Sequence, residues 1–309
     1  MHRSPIAFNI NVMEDKDFLH FKGKQQTQDM YTLADRLDDI YSAFEEDPTK
    51  EGFLLPWAVT HDKLVLRRGQ LTVWAGYNSH GKSQLLGQFM MWEARRRKIM
   101  LASLELDLKE QAVRYIRQAA GLHNPTREYI KKVVDHAPGL IIYEQVRTMK
   151  PEEVLSMVSY AIEVLQADHI VIDSLMKCGI AFGDEASNKS FVDALTALVK
   201  GTQSHIHLVA HMRKPDGQNG EYRPGSKYSI NGTADISNMA DNVIICHRNK
   251  EKEIALSNPH LDENQVEKYE AQGDASITID KNRVDGWEGR FNLWFHRPSG
   301  QYLDQNVNT

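Results

Sequence analysis

The sequence predicts an α/β domain with a mainly parallel central sheet, helices on both faces and a C-terminal β-hairpin. Three observations predict it. Gly76-Tyr77-Asn78-Ser79-His80-Gly81-Lys82-Ser83 matches GxxxxGK[ST] and stands between the apolar run Leu71–Ala75 and the helix-like stretch Ser83–Met91. Apolar runs of strand length then alternate with helical periods, the pattern of parallel βαβ units. Polar residues close several of those runs, and in such sheets ligands sit beyond the carboxyl ends of the strands.

The glycine-bearing stretch organises the rest. Backbone N–H groups of such a loop and the N-terminus of the next helix form a concave anion site. Lys82 is placed to reach the β- and γ-phosphates of a nucleoside triphosphate, and Ser83 to set its hydroxyl on Mg²⁺. Gly76, Asn78, Ser79, His80, Gly81 and Gln84 complete the expected phosphate contacts. His80 stands where many such loops carry a smaller residue, and has no role beyond covering the phosphates. A glycine turn before a core helix is the plain alternative; loop, lysine, hydroxyl and both flanks argue against it.

Composition sets the bounds. Of 309 residues 41% are hydrophobic and 26% charged, the balance of an ordinary globular protein. No apolar run reaches membrane-spanning length, and no signal-like apolar core follows Met1, so we expect a cytoplasmic protein without a membrane partner. Cys178 and Cys246 form neither a disulfide framework nor a zinc signature. A net charge of −5 argues against a surface coated for nucleic acid, but leaves room for a local basic channel.

Taken in order, residues 1–50 read as an N-terminal arm and 51–309 as one large domain. In the arm, Leu33, Leu37, Ile40, Tyr41 and Phe44 recur at helical spacing, and Glu45–Thr49 is a stop. That stripe packs either on its own domain or on a neighbouring subunit. Lys63–Gln70 leads into the phosphate-loop strand. Arg95–Lys98 reads as a solvated helix end favoured by the helix dipole. Ile99–Ser103 is a strand with Glu105 just beyond it, and Leu108–Ala120 a helix. Leu140–Tyr143 is a short strand, and Pro151 opens a helix where proline is favoured. His169–Asp173 and His205–His211 are further strands, with a helix over Phe191–Val199 between them. Met212–Asn231 is basic and too long for an idle connection. A short helix, Ala234–Met239, leads to the strand Asn242–Cys246. Lys250–Gln272 looks like a charged surface insertion, and Ala275–Lys281 and Gly289–Phe295 form the terminal hairpin.

Glu105, Asp173, His211 and the phosphate loop come from separate strands and converge on one sheet edge. Asp173 fits a carboxylate that orients Mg²⁺ through its water shell, or simply a strand-end cap. Glu105 fits the general base for the attacking water, or a salt-bridged strand end. His211 fits a γ-phosphate sensor that relays into the loop after it, or a structural histidine.

These residues, in this order, resemble the RecA-type motor domain of ring-shaped replicative DNA helicases of the DnaB class. The similarity is strongest to the helicase half of phage primase–helicases and to the mitochondrial helicase Twinkle, and runs from about Leu54 to the C-terminus. It rests on the phosphate loop, on Ser103-Leu104-Glu105, on Ile170–Asp173, on Val209-Ala210-His211, on Asn231–Val243 and on Ile279–Arg283. The resemblance implies a RecA-like fold and an ATP-driven (or other NTP- or dNTP-driven), Mg²⁺-dependent helicase on single-stranded DNA. It implies a homo-oligomer, a hexameric ring, with a primase or helicase loader as further partner. By likeness Arg283 is an arginine finger for the next subunit's nucleotide, Lys281 its companion, and Phe295 and Tyr302 stack on the base. Arg213, Lys214, Arg223, Lys227, Asn231 and Gly232 are the DNA-binding candidates; a solvated surface is the other reading of each. A strand-binding or KaiC-like regulatory ATPase that does not unwind is the alternative function.

Overall fold

A computed structural model describes residues 31–45, 47, 52–181, 183–213, 220–231 and 234–306. The chain divides into two compact units, Met1–Lys50 and Glu51–Thr309. In the first, a turn of 3₁₀ helix, Ala34–Arg36, runs into helix α1, Leu37–Glu45, which carries the expected apolar stripe. Thr32 opens it: its hydroxyl accepts from the backbone N–H of Asp35 and donates to that carboxylate.

The second unit is built on a sheet. In chain order it runs β1 (Gln70–Gly76), α2 (Lys82–Glu93), β2 (Ile99–Ser103), α3 (Leu108–Ala120), α4 (Arg127–Asp135), β3 (Leu140–Glu144), α5 (Pro151–Glu163) and β4 (His169–Asp173). It continues with α6 (Glu185–Val199), β5 (His205–His211), α7 (Ala234–Met239), β6 (Asn242–Arg248), α8 (Lys250–Leu256), α9 (Glu263–Glu270), β7 (Ala275–Asn282), β8 (Gly289–His296) and β9 (Gln301–Leu303). The strand order is β3-β2-β4-β5-β1-β6-β7-β8-β9. Pairs from β3 through to β6 are parallel, and those from β6 to β9 antiparallel. The expected hairpin is therefore β7–β8, extended by β9.

Strands β1, β2, β4 and β5 are buried on both faces, which is why they read as near-continuous apolar runs. Alternate side chains enter two cores. Leu71, Val73 and Ala75 of β1 meet Val154 and Val158 of α5 and Val192 and Leu195 of α6. Trp74 meets Leu85, Phe89 and Met90 of α2, with Tyr115 of α3 and Val133 of α4. Helices thus cover both faces.

The second core also takes in Phe53, Leu55, Trp57, Leu64 and Leu66, which precede β1 and show no period of their own. Trp57 locks this segment to the far end of the chain by donating from Nε1 to the Tyr302 carbonyl, 2.8 Å away. On this face lies a buried polar row, with His169, His205 and His207 all fully buried.

Helix α4 is an addition to the expected elements, although Thr126 caps it and Tyr129, Ile130, Val133 and Val134 follow at helical spacing. The run Arg95–Lys98 departs from a purely solvated reading. Arg96 and Arg97 lie 3.6 and 3.9 Å from the carboxylate of Glu93, which is only 3% exposed, and Arg97 also sits over the Phe53 ring. A buried carboxylate needs such partners to stay charged.

Candidate nucleotide-binding site

The loop between β1 and α2 is shaped by two close approaches. At Gly76 a Cβ would run into the backbone carbonyl of Cys246 on β6. Gly81 has φ +82°, and a Cβ there would lie 2.6 Å from the Tyr302 hydroxyl. Both positions therefore require glycine. Lys82 is 5% exposed and folds back, donating from Nζ to the carbonyls of Gly76 (3.1 Å) and Tyr77 (2.9 Å). Burial pushes its ammonium below the ordinary lysine range. Those two carbonyls hold it within the loop until phosphate oxygens offer a stronger, charged partner.

Around the loop opens a cavity of about 960 Å³, lined among others by Ser79, Gly81, Lys82, Ser83, Gln84, Glu105, Asp173 and His211. Parallel strands β2, β4 and β5 end on the same edge as β1, which is why these groups meet. Burial raises the pKa of the Asp173 carboxyl, and a hydrogen bond from Ser83 opposes that rise. Ser83 and Asp173 together present hard oxygen donors, the donor type Mg²⁺ takes when phosphates and water complete its shell. Among the described residues no group of three or more His, Cys, Asp or Glu side chains is arranged to hold a metal ion by itself. A metal here would depend on the nucleotide.

Glu105 stands two residues beyond β2. Ser174 donates to its Oε1, and His211 Nε2 lies 3.7 Å from the same oxygen. The imidazole of His211 first, then the Ser174 hydroxyl, hold the carboxyl down at about 2. His211 in turn donates from Nδ1 to Oδ1 of Asn78 in the phosphate loop, at 2.6 Å. His211 thus touches both the loop and the acidic group, at the point where the Met212–Asn231 segment begins. That segment returns on itself: Met212 bridges Ile230, Arg213 N–H donates to Ser229 O, and Asn231 N–H donates to His211 O.

Several expected site residues take other places. The His80 side chain is fully buried behind the loop instead of facing phosphate. Its Nδ1 accepts from the N–H of Arg248, and its ring packs on Tyr77 and His247. Tyr302 is 5% exposed and buttresses Gly81 with its hydroxyl, so its ring has no free face for a base. Phe295 packs on it, with ring centroids 4.9 Å apart, and remains on the cavity wall. Lys227 has lost its freedom to contact DNA phosphates: Nζ donates to Asp280 O (2.7 Å) and to Glu288 (3.0 Å). Arg213 is exposed, and Arg223 and Asn231 are half-buried on the same segment. Lys214 and Gly232 lie outside the described residues.

Lys281 and Arg283 are not among the residues lining this chain's cavity. Lys281 Nζ donates to the carbonyls of Ser237, Asn238 and Ala240. Arg283 binds Asp241 Oδ1 at 3.1 Å and the carbonyls of Asn238 and Met239. Both therefore cap the C-terminus of α7, where cations are favoured. Burial and the neighbouring Arg283 lower the Lys281 ammonium to about 8.

Sequence reasoning missed Ser174, which orients Glu105, and the cavity wall formed by Arg248, Lys252, Glu253, Leu256, Glu270 and Arg297. Most of that wall comes from the segment read as a surface insertion. Asn249 immediately before Lys250-Glu251-Lys252-Glu253 is an N-cap signal for α8, and Asp262 with Gln265 a capping box for α9.

Fold and site define a P-loop ATPase domain of the RecA-like motor type. The chain belongs to the AAA domain family, whose model matches residues 56–217. Among solved structures it is similar to that of a phage-type "ATPase Domain", with a TM-score of 0.70 and 14% identity over 90% of this chain and 100% of that one. It is also similar to "The Structure Of A DnaB-Like Replicative Helicase And Its Interactions With Primase", with a TM-score of 0.65 and 13% identity over 94% of this chain and 70% of that one. No curated protein matches the sequence. No helix among the described residues is long and apolar enough to cross a membrane.

Proposed function

We propose that the protein is an ATP-driven DNA helicase that translocates on single-stranded DNA as a hexameric ring and unwinds duplex. The observation that carries this reading is the contact of His211 with both Asn78 and Glu105 at the root of the basic segment. It connects a hydrolytic site directly to a candidate strand-binding loop. Lys82, the loop N–H groups and Ser83 would bind the triphosphate, and Asp173 with Ser83 would hold Mg²⁺, which supplies charge neutralisation on the phosphates. Glu105 would orient and polarise the attacking water.

Arg213 and Arg223 would hold phosphates of the strand, and Arg283 would reach the neighbour's nucleotide. The stripe of α1 would pack on a neighbouring subunit. Similarity to a helicase structure that includes primase interactions supports a primase or loader as a further partner.

Strand displacement on a forked duplex tests the reading. The purified chain with ATP and Mg²⁺ should release the displaced strand, and Lys82→Ala should neither hydrolyse nor displace. Hydrolysis stimulated by single strands without displacement would instead support a strand-binding ATPase. A folded Lys82→Ala protein with normal turnover would reject the phosphate-site assignment.

A further inference from the structure

The cavity wall opposite the phosphate loop is made chiefly by α8 and the residues flanking it. Arg248, the last residue of β6, donates from Nε and Nη2 to the two carboxylate oxygens of Glu253, at 2.5 and 2.7 Å. Its N–H also donates to His80 behind the phosphate loop. Lys252 is nearly buried and holds the carbonyls of Glu270 and Gln272 and the carboxylate of Asp274, the last at 2.8 Å. Asn249 caps the helix and pins it to Gln272 and Gly273. This short helix is therefore a rigid part of the wall, with Lys252, Glu253 and Leu256 on the cavity.

The same helix touches the basic segment. Lys250, its first residue, donates to Glu221 Oε2 at 2.6 Å. Glu221 sits in the 3₁₀ turn Gly220–Tyr222, within the segment that starts at His211. The described part of that segment is thus held at its root by β5, at Lys227 by β7 and at Glu221 by α8. One side of α8 faces the cavity and its first residue holds the segment.

We infer that α8 senses the sugar–base end of a bound nucleoside phosphate and passes occupancy to the 220–231 segment through the Lys250–Glu221 ion pair. The inference rests on the nucleotide-site reading above. With phosphates fixed at Lys82 and Ser83, the remaining length of the ligand extends along a wall in which Arg248, Glu253 and Leu256 offer a charged fork and an apolar side chain. Contact there alters how α8 is seated, and Lys250 moves with it. This route differs from the one through His211. His211 sits beside the hydrolytic carboxylate and responds to the γ-phosphate, whereas α8 responds to a part that the diphosphate also carries. Lys250 and Glu221 are positioning residues: neither needs to touch the reacting atoms.

Hydrogen exchange of amides 220–231 in the full chain, with ADP and Mg²⁺ as the probe, tests this. ADP binding is measured alongside by calorimetry. Wild type should show slower exchange of these amides with ADP. Lys250→Ala and Glu221→Ala should each bind ADP with unchanged affinity yet lose that protection. An ion pair of this exposure is worth a factor of about 2–5 in an opening equilibrium. The exchanged pair, Lys250→Glu with Glu221→Lys, should restore it. Full ADP-dependent protection in both single variants, with ADP bound, would overturn the inference and leave the nucleotide site standing. Failure of the wild type to bind ADP or ATP would reject the nucleotide reading itself, and this inference with it.

Discussion

Glu105 shows how far a single side chain can be taken from sequence to chemistry. Its placement two residues past an apolar run marks it as a strand-end carboxylate. What the sequence does not carry is that Ser174 and His211 both engage one of its oxygens and hold its pKa at about 2. A carboxylate so stabilised is a weak proton acceptor, so its main contribution is to orient the water and stabilise charge that develops on it. Glu105→Gln keeps the shape and removes the charge. It should retain nucleotide binding and lose hydrolysis by a factor of about 10² to 10⁴, read as single-turnover rate against affinity. Because the folded carboxyl is already ionised far below neutrality, protonation of Glu105 should not set an acid limb in the rate between pH 5 and 8. An acid limb there that vanishes in Glu105→Gln would contradict this arrangement.

At the scale of elements, legibility follows burial and period. Strands β1, β2, β4 and β5 are plain in the sequence because they are buried on both faces. The phosphate loop is plain because its chemistry fixes both residue types and spacing. Helices α8 and α9 are hidden because their composition is almost wholly charged, and β9 because three residues carry no period. The wall they build is therefore invisible: no local pattern says that Glu253 will face a cavity made by Lys82. Lys281 and Arg283 illustrate the same limit. Sequence likeness suggests a trans-acting pair, and the fold shows what holds them, namely the last carbonyls of α7 and Asp241. An Arg283 that leaves this cap to reach a neighbour's phosphates would exchange one set of charge-assisted bonds for another. Arg283→Ala should then bind nucleotide and hydrolyse it about 10³- to 10⁵-fold more slowly. Mixing it with Lys82→Ala should return partial activity, because some interfaces would combine an intact Lys82 with an intact Arg283. Mass spectrometry of the mixture establishes that mixed assemblies form. Mixed assemblies without activity would place Arg283 in its own subunit's machinery or require an unbroken ring.

The molecule as a whole carries a built-in sensitivity to acid, and its origin is the polar row under α2. Trp74 Nε1–H donates to His207 Nδ1 at 3.1 Å, so His207 carries its proton on Nε2 and donates it to His169 Nδ1, also at 3.1 Å. His169 then holds its own proton on Nε2, which faces Glu93 at 3.8 Å. His205 donates from Nδ1 to the Arg67 carbonyl at 2.6 Å and accepts from the Thr72 hydroxyl at 2.8 Å. Each ring in this scheme is neutral, and its tautomer is dictated by its partners. Burial lowers all three pKa values, that of His205 to about 3 and that of His207 well below the usual 6.5. In the unfolded chain the same rings titrate near 6.5. The unfolded state therefore binds more protons than the folded state below that pH, and stability must fall as pH falls. The contribution is complete above about pH 6.5 and is lost progressively towards pH 3, at up to roughly 1.4 kcal/mol per pH unit for each ring. At pH 5 the three rings together would remove about 6 kcal/mol, a large part of the 5–15 kcal/mol that holds an ordinary domain together. His80 and His247 are shifted in the same direction by burial and add to the trend. Urea unfolding followed at several values between pH 7.5 and 5 should show this slope. His207→Leu should be less stable at neutral pH, because Trp74 and His169 lose a partner, yet its stability should fall less steeply with acid, by roughly one proton's worth. A variant with the wild-type slope would mean that His207 is already protonated in the fold, and the tautomer assignment along the row would have to be reversed.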